Sequence, residues 1–229
     1  MIKHNIIHFV DATLLSDSAT LDDINLLCDR VLAAKENYAS VCVPIKYVSA
    51  CKTRLQTRNI AVATVANFPT GQTSLEAVKK EIETALAAHA DEIDMVLPYH
   101  FYLNNEKDKA IEFVATIRKL IPKTVLFKII LETGALKDPA LIADASKDMI
   151  NCGVDFLKTS TGKLQPGATV AAAMIMLAVI AQVNPKVGFK ASGGIKDADT
   201  AMHYLELAEH CLGEQWLSPR HFRIGSSKL

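Results

Sequence analysis

Two short stretches of this sequence each set a lysine behind an apolar run and ahead of a turn rich in hydroxyls or glycine: DFLKTSTGK at 155–163 and GFKASGG at 188–194. Lys158 and Lys190 thus occupy similar places in two similar segments. If the segments are neighbouring strands, the two ammonium groups lie side by side. Two such charges ~4 Å apart at an effective dielectric of ~20 repel by about 4 kcal/mol, equivalent to roughly three pKa units. A lysine lowered that far is partly neutral near physiological pH. A neutral amine attacks a carbonyl to form a Schiff base, while its neighbour stays protonated as the perturbing charge and proton relay. Iminium chemistry also needs a group that moves protons at the same point. Asp94 is the candidate, because EIDMVLPY is otherwise apolar enough to desolvate a carboxylate and raise its pKa.

A second group of residues suits a phosphate. Backbone amides freed by Gly162, Gly193 and Gly194, the hydroxyl of Ser227 and the charge of Lys163 follow three successive strand-like segments, in STGK, KASGG and IGSS. Exposed amides, hydroxyls and a nearby cation together hold a dianion. In barrels, phosphates bind where the loops after strands 7 and 8 meet a helix N-terminus.

These residues need a scaffold that brings strand ends together. Apolar, β-branched runs at 6–12, 40–44, 61–68, 92–98, 125–133, 154–160, 187–192 and 222–226 alternate with seven helical stretches, and no Ser-, Gly- or Pro-rich linker divides the 229 residues. In SLEAVKKEIETALAAH, Leu75, Val78, Ile82, Ala85 and Leu86 share one helical face. Strands alternating with helices imply parallel pairing through right-handed crossovers. The predicted fold is a single-domain α/β (β/α)8 TIM barrel over 1–229, with its eighth helix missing because the sequence stops at SSKL. A doubly wound open sheet gives the same alternation, and periodicity alone does not separate the two.

Composition narrows the partners. Twenty-five basic and 25 acidic residues cancel, which disfavours a nucleic-acid surface or a polybasic membrane contact and favours a small molecule. Five scattered cysteines without CxxC spacing point to a reducing cytoplasm rather than a disulfide framework. The seven histidines show neither HxH nor HxxxH spacing, so no metal site is expected. The apolar segment LQPGATVAAAMIMLAVIAQV is too short to span a bilayer and reads as a buried amphipathic helix with Pro166 at its first position. Around the two lysines, Asp11, Lys128, Asn67, Cys42 and Thr159 form the expected supporting network. Lys128 would be salt-bridged to Asp11, Glu132 would join the same polar group, and Cys42 would pack as a small apolar residue.

With VDFLKTSTGK, GFKASGG, DEIDMVLPY and FRIGSS in view, the sequence resembles the deoxyribose-phosphate aldolases, class I aldolases of (β/α)8 fold. The likeness runs from FVDATLL through ANFPTG and KIILETGALKD to FRIGSS. It implies that Lys158 is the Schiff-base lysine, Lys190 the second active-site lysine and Asp94 the proton-transfer aspartate. Gly162, Lys163, Gly193, Gly194 and Ser227 would contact phosphate. It also implies metal-independent cleavage of 2-deoxy-D-ribose 5-phosphate to glyceraldehyde 3-phosphate and acetaldehyde in deoxynucleoside catabolism, with no cofactor, and a homodimer. Two departures stand out, both at the C-terminus of the given sequence. Where many relatives read GASS and continue into a helix and a tail ending in tyrosine, this chain reads GSSKL, placing Lys228 where they have a second serine, with Ser226 as the nearest substitute.

Overall fold

Eight parallel strands pair in chain order and close into a barrel in the computed structural model, which describes residues 5–229. They are β1 (Val10–Thr13), β2 (Ser40–Cys42), β3 (Ala61–Ala66), β4 (Glu92–Val96), β5 (Leu126–Ile130), β6 (Phe156–Lys158), β7 (Gly188–Ser192) and β8 (Phe222–Ser226). The crossovers carry α1 (Leu21–Ala33), α2 (Val48–Leu55), α3 (Leu75–Ala87), α4 (His100–Leu103), α5 (Lys107–Leu120), α6 (Thr133–Leu136), α7 (Pro139–Asn151), α8 (Val170–Val183) and α9 (Ala198–Leu212). Each of the seven crossovers therefore has one main helix, and α4 and α6 are extra single turns ahead of α5 and α7. After β8 no helix follows among the described residues. The closed β1–β8 pairing rules out the open doubly wound sheet.

Helix starts follow local chemistry. Thr20 and Asp23 form a reciprocal capping box on α1, Ser74 caps α3, and Asp138 with Pro139 behind it starts α7. Two sequence expectations are corrected. Residues 6–9 form a 3-10 turn rather than the start of β1. The Asn5 side chain accepts a hydrogen bond from the Ile7 amide at 3.1 Å, and Ile6 and Phe9, three apart, both turn inward. Pro166 is not the first residue of α8. The Thr169 hydroxyl accepts from the Ala172 amide at 3.2 Å and starts the helix at Val170, leaving Pro166 in the preceding loop.

Alternation along each strand sorts its side chains. Ile93, Met95, Phe127, Ile129, Leu157, Phe189, Phe222 and Ile224 face the helix layer and join one apolar core. Burying each such side chain contributes about 1.5–3 kcal/mol, and this layer carries most of the stabilisation. The α3 face expected from sequence packs here, with Val78, Ile82 and Ala85 buried and Leu75 and Leu86 against them. The residues between face the barrel axis. On the β2–β3 side the interior is apolar, with Cys42, Ala63 and Val65 packed together. On the β4–β8 side it is charged. No helix among the described residues is long and apolar enough to cross a membrane; α8, the most apolar, buries Met176, Leu177 and Ile180 and leaves Val170 and Met174 exposed.

Candidate active site

Strand register places the charged side chains. Lys158 on β6 is paired directly with Lys190 on β7, Lys190 with Arg223 on β8, and Asp94 on β4 with Lys128 on β5. Glu92 and Asp94 are two apart on β4, so both point inward. Seven ionisable groups, Asp11, Glu92, Asp94, Lys128, Lys158, Lys190 and Arg223, are thereby buried inside the barrel, none more than 4% exposed.

Six of them form a closed ring of alternating charge. Asp11 Oδ2 lies 2.5 Å from Lys190 Nζ, which lies 2.7 Å from Asp94 Oδ2. Asp94 Oδ1 accepts from Lys128 Nζ at 2.8 Å, and Lys128 reaches Glu92 Oε2 at 2.5 Å. Glu92 Oε1 accepts from Arg223 Nη2 at 2.8 Å, and Arg223 Nη1 returns to Asp11 Oδ1 at 2.6 Å. Each ring member has two oppositely charged neighbours. Lys158 has one ion-pair partner, Asp94 Oδ2 at 2.9 Å, an oxygen already bound by Lys190. Beneath the ring the Phe156 ring lies 6.0 Å from Lys128 Nζ and 5.7 Å from the Arg223 guanidinium carbon. Gly188 makes room for it, since a Cβ there would meet Phe156 Cε1 at 2.4 Å.

The electrostatics follow from this arrangement. Burial alone would raise the Asp94 carboxyl, but Lys128, Lys158 and Lys190 outweigh it and hold Asp94 well below the ordinary carboxylate range. This corrects the expectation of a desolvated aspartate with a raised pKa. Asp11 is likewise held low against its burial, by Lys190 and Arg223. Burial disfavours the charge on Lys190 and Lys128, yet their two carboxylates each push both above the ordinary lysine value. Lys158 goes the other way. Burial and the Lys190 charge lower it, and the single shared Asp94 oxygen does not compensate. Burial first, and then the Asp94 charge, push the Cys42 thiol up to about 11, so it sits protonated in the apolar half of the barrel.

Of the seven groups, Lys158 is the one that lines a cavity of about 640 Å³ at the C-terminal end of the strands. The same cavity is lined by Gly162, Lys163, Gly193, Gly194, Ser226 and Ser227, so the structure brings the anticipated phosphate group together above the anticipated amine. Gly193 and Gly194 have φ of +92° and +89°, a backbone that side chains rarely adopt. The N-terminus of α9 is capped by Asp197, which accepts from the Thr200 amide at 2.8 Å.

Other expected residues stand elsewhere. Lys128 is paired with Glu92 and Asp94, not with Asp11, whose cationic partners are Lys190 and Arg223. Asn67 does not join the ion ring; its amide donates to the Val96 carbonyl at 2.9 Å and accepts from the Thr73 amide at 2.9 Å, bracing the loop after β3. Thr159 ties β6 to β7, its hydroxyl meeting the backbone carbonyl and amide of Ser192 at 3.0 Å each. Glu132 accepts hydrogen bonds from the amide and hydroxyl of Thr161. The Ser226 hydroxyl donates to the Ile195 carbonyl at 2.8 Å and accepts from the Lys228 amide, so it is used within the loop. Glu92 and Arg223 were not anticipated, although the two-residue spacing of Glu92 and Asp94 and the alternation FRIG carried the signal.

A family model described as DeoC/LacD family aldolase matches residues 6–213. The chain belongs to this family. Among solved structures, a protein of Coccidioides immitis provisionally assigned as a deoxyribose-phosphate aldolase is 30% identical over 97% of this chain and 81% of its own, with a TM-score of 0.85. An aldolase named QR15 is 26% identical over 99% of this chain and 92% of its own, TM-score 0.82. The deoxyribose phosphate aldolase of Aeropyrum pernix, described as a tetramer, is 25% identical over 97% and 86%, TM-score 0.78. Membership in the DeoC/LacD family makes the chain an aldolase and agrees with the resemblance read from its motifs.

Proposed function

We propose that this aldolase reversibly cleaves 2-deoxy-D-ribose 5-phosphate to glyceraldehyde 3-phosphate and acetaldehyde through a Schiff base on Lys158, without a metal or other cofactor. The observation that carries the reading is the position of Lys158. It is the ring's one uncompensated neighbour, it is lowered toward the free amine, and it faces the cavity. Its lone pair attacks the C1 aldehyde, and loss of water from the carbinolamine gives an iminium. The iminium accepts the electron pair of the C2–C3 bond as the C3 hydroxyl gives up its proton, which releases glyceraldehyde 3-phosphate. Protonation of the remaining enamine carbon and hydrolysis free acetaldehyde and restore the amine.

Asp94 serves as a fixed anion that holds both nitrogens on one oxygen, and proton transfers pass through the Asp94–Lys190 hydrogen bond and cavity water. The phosphate would sit against Gly162, Lys163, Gly193, Gly194 and Ser227, and anchoring it there places C1 over Lys158, so that remote binding lowers the barrier. A role in deoxynucleoside breakdown follows from that substrate. The five free cysteines support a reducing compartment.

Borohydride reduction in the presence of acetaldehyde, followed by peptide mass mapping, tests the assignment. Label on Lys158 alone supports it. Label on Lys190 reverses the two lysines, and no label overturns the Schiff-base reading. Cleavage rates with deoxyribose and ribose phosphates then separate this substrate from those of other Schiff-base aldolases.

A further inference from the structure

The closed ring has a consequence for the lysine outside it. Its three cations, Lys128, Lys190 and Arg223, are balanced by its three carboxylates, Asp11, Glu92 and Asp94, through six contacts of 2.5–2.8 Å. A seventh group adds a net charge to the barrel interior if it is an ammonium and none if it is a free amine. Unbalanced charge in a low-dielectric interior is costly, so the ring favours the free amine at whichever position lies outside it. That position is Lys158.

We propose that Glu92 and Arg223, which touch neither Lys158 nor the cavity it lines, are positioning residues that set the charge state of Lys158 by closing the ring at electroneutrality. Arg223 supplies the third balancing cation. It holds Asp11 and Glu92 together at the end of the barrel opposite the substrate cavity, where it lines a second opening. Without it the remaining ring carries a net negative charge, and protonation of Lys158 restores neutrality. Without the Glu92 charge the ring is net positive, and Lys158 is driven further toward the free amine.

The other groups facing Lys158 do not reverse this. From β4 it meets Asp94, from β7 Lys190, and from β2 the Cys42 thiol, which is protonated at neutral pH. From β5 Lys128 shares Asp94. The segment after β5 brings Glu132, whose carboxyl accepts from Thr161 and makes no ion pair among the described residues; burial pushes it up despite the opposing pull of Thr161 and of the Lys158 charge. The protonation of Lys158 is thus governed by the balance of the whole ring, with Lys190 as its nearest part.

This inference rests on Lys158 being the imine-forming amine. The test is the pH dependence of acetaldehyde imine formation, trapped by cyanoborohydride and read at Lys158 by mass mapping, in the wild type and three variants. Glu92→Gln keeps the shape of the side chain and leaves Arg223 paired with Asp11 and Lys128 with Asp94, so it is the variant expected to fold. Its labelling midpoint is expected to fall by about one pH unit, the shift a unit charge at ~10–12 Å produces through an effective dielectric near ~20. Arg223→Met is expected to raise the midpoint by a similar amount, and Arg223→Lys, which keeps the charge, to restore it. Loss of packing alone cannot move the two in opposite directions. Labelling at Lys158 with an unmoved or raised midpoint in Glu92→Gln overturns the ring inference and leaves the Schiff-base reading standing. Absence of label at Lys158 in the wild type overturns that reading and the inference with it.

Discussion

Lys158 and Lys190 bind the same oxygen, Oδ2 of Asp94, at 2.9 and 2.7 Å, from directly paired positions on adjacent strands. They are nevertheless driven in opposite directions. Lys190 has Asp11 as a second carboxylate and is held as an ammonium, whereas Lys158 has no second partner and is lowered. Similar sequence contexts therefore yield one lysine held as an ammonium and one lowered toward the free amine.

Replacing the Lys190 charge should disable the proposed nucleophile, Lys158. Lys158 is lowered by burial and then by the Lys190 charge, and Lys190→Met removes the second of these. We expect kcat/KM at neutral pH to fall by at least about a hundredfold and to recover partly as pH rises. A pH-rate profile checks this.

The proposed phosphate site should act mainly on binding. Lys163 is exposed at the cavity rim, so its contribution is screened by solvent. Lys163→Ala is expected to raise KM for the phosphorylated sugar about five- to tenfold and to leave turnover of unphosphorylated deoxyribose unchanged. Steady-state kinetics with both sugars measures the difference.

Lys190 also depends on space. A Cβ at Gly225 would stand 3.1 Å from Lys190 Cε and 2.8 Å from Ser192 Cβ. Gly225→Ala should displace the lysine, lower kcat by about ten- to a hundredfold and destabilise the fold by about 1–3 kcal/mol. Kinetics and thermal melts on the same preparation separate the two effects.

Stability should respond to acid through the ring carboxylates. Asp11 and Asp94 have folded-state values below their unfolded ones, so their contribution is present above the ordinary aspartate value of ~3.9 and is lost as pH falls below it. Lys190 is raised, so its contribution is complete below the ordinary lysine value of ~10.4 and is lost only as pH rises beyond it. Thermal melts should therefore show a falling Tm below about pH 4. Asp11→Asn should have a lower Tm near neutral pH and a shallower acid slope than the wild type.

Much of this was legible in the sequence, and the failures share one cause. Alternation in EIDMV, FLK, GFKAS and FRIGS shows which residues share a face, and that was enough to pick out Lys158, Lys190 and Asp94. It does not show which partner lies across a closed barrel. Local alternation points Lys128 toward Asp11, which instead meets Lys190 and Arg223. The apolar neighbours of Asp94 in sequence, Ile93 and Met95, point to the opposite side of the strand, while its own side holds lysines from β5, β6 and β7. The glycines lining the cavity were legible because positive φ and close approach restrict the residue type locally. Ring closure by Glu92 and Arg223 joins positions 131 residues apart, and no local pattern encodes that.

The central claim is the charge on one nitrogen. Carbon-detected NMR of lysine-labelled protein, with Lys158 assigned by mutation, follows that charge through the pH range in which the fold is intact. The account predicts a Lys158 titration midpoint well below that of an ordinary lysine while Lys190 remains an ammonium throughout. An active enzyme whose Lys158 titrates like a solvent-exposed lysine would contradict it.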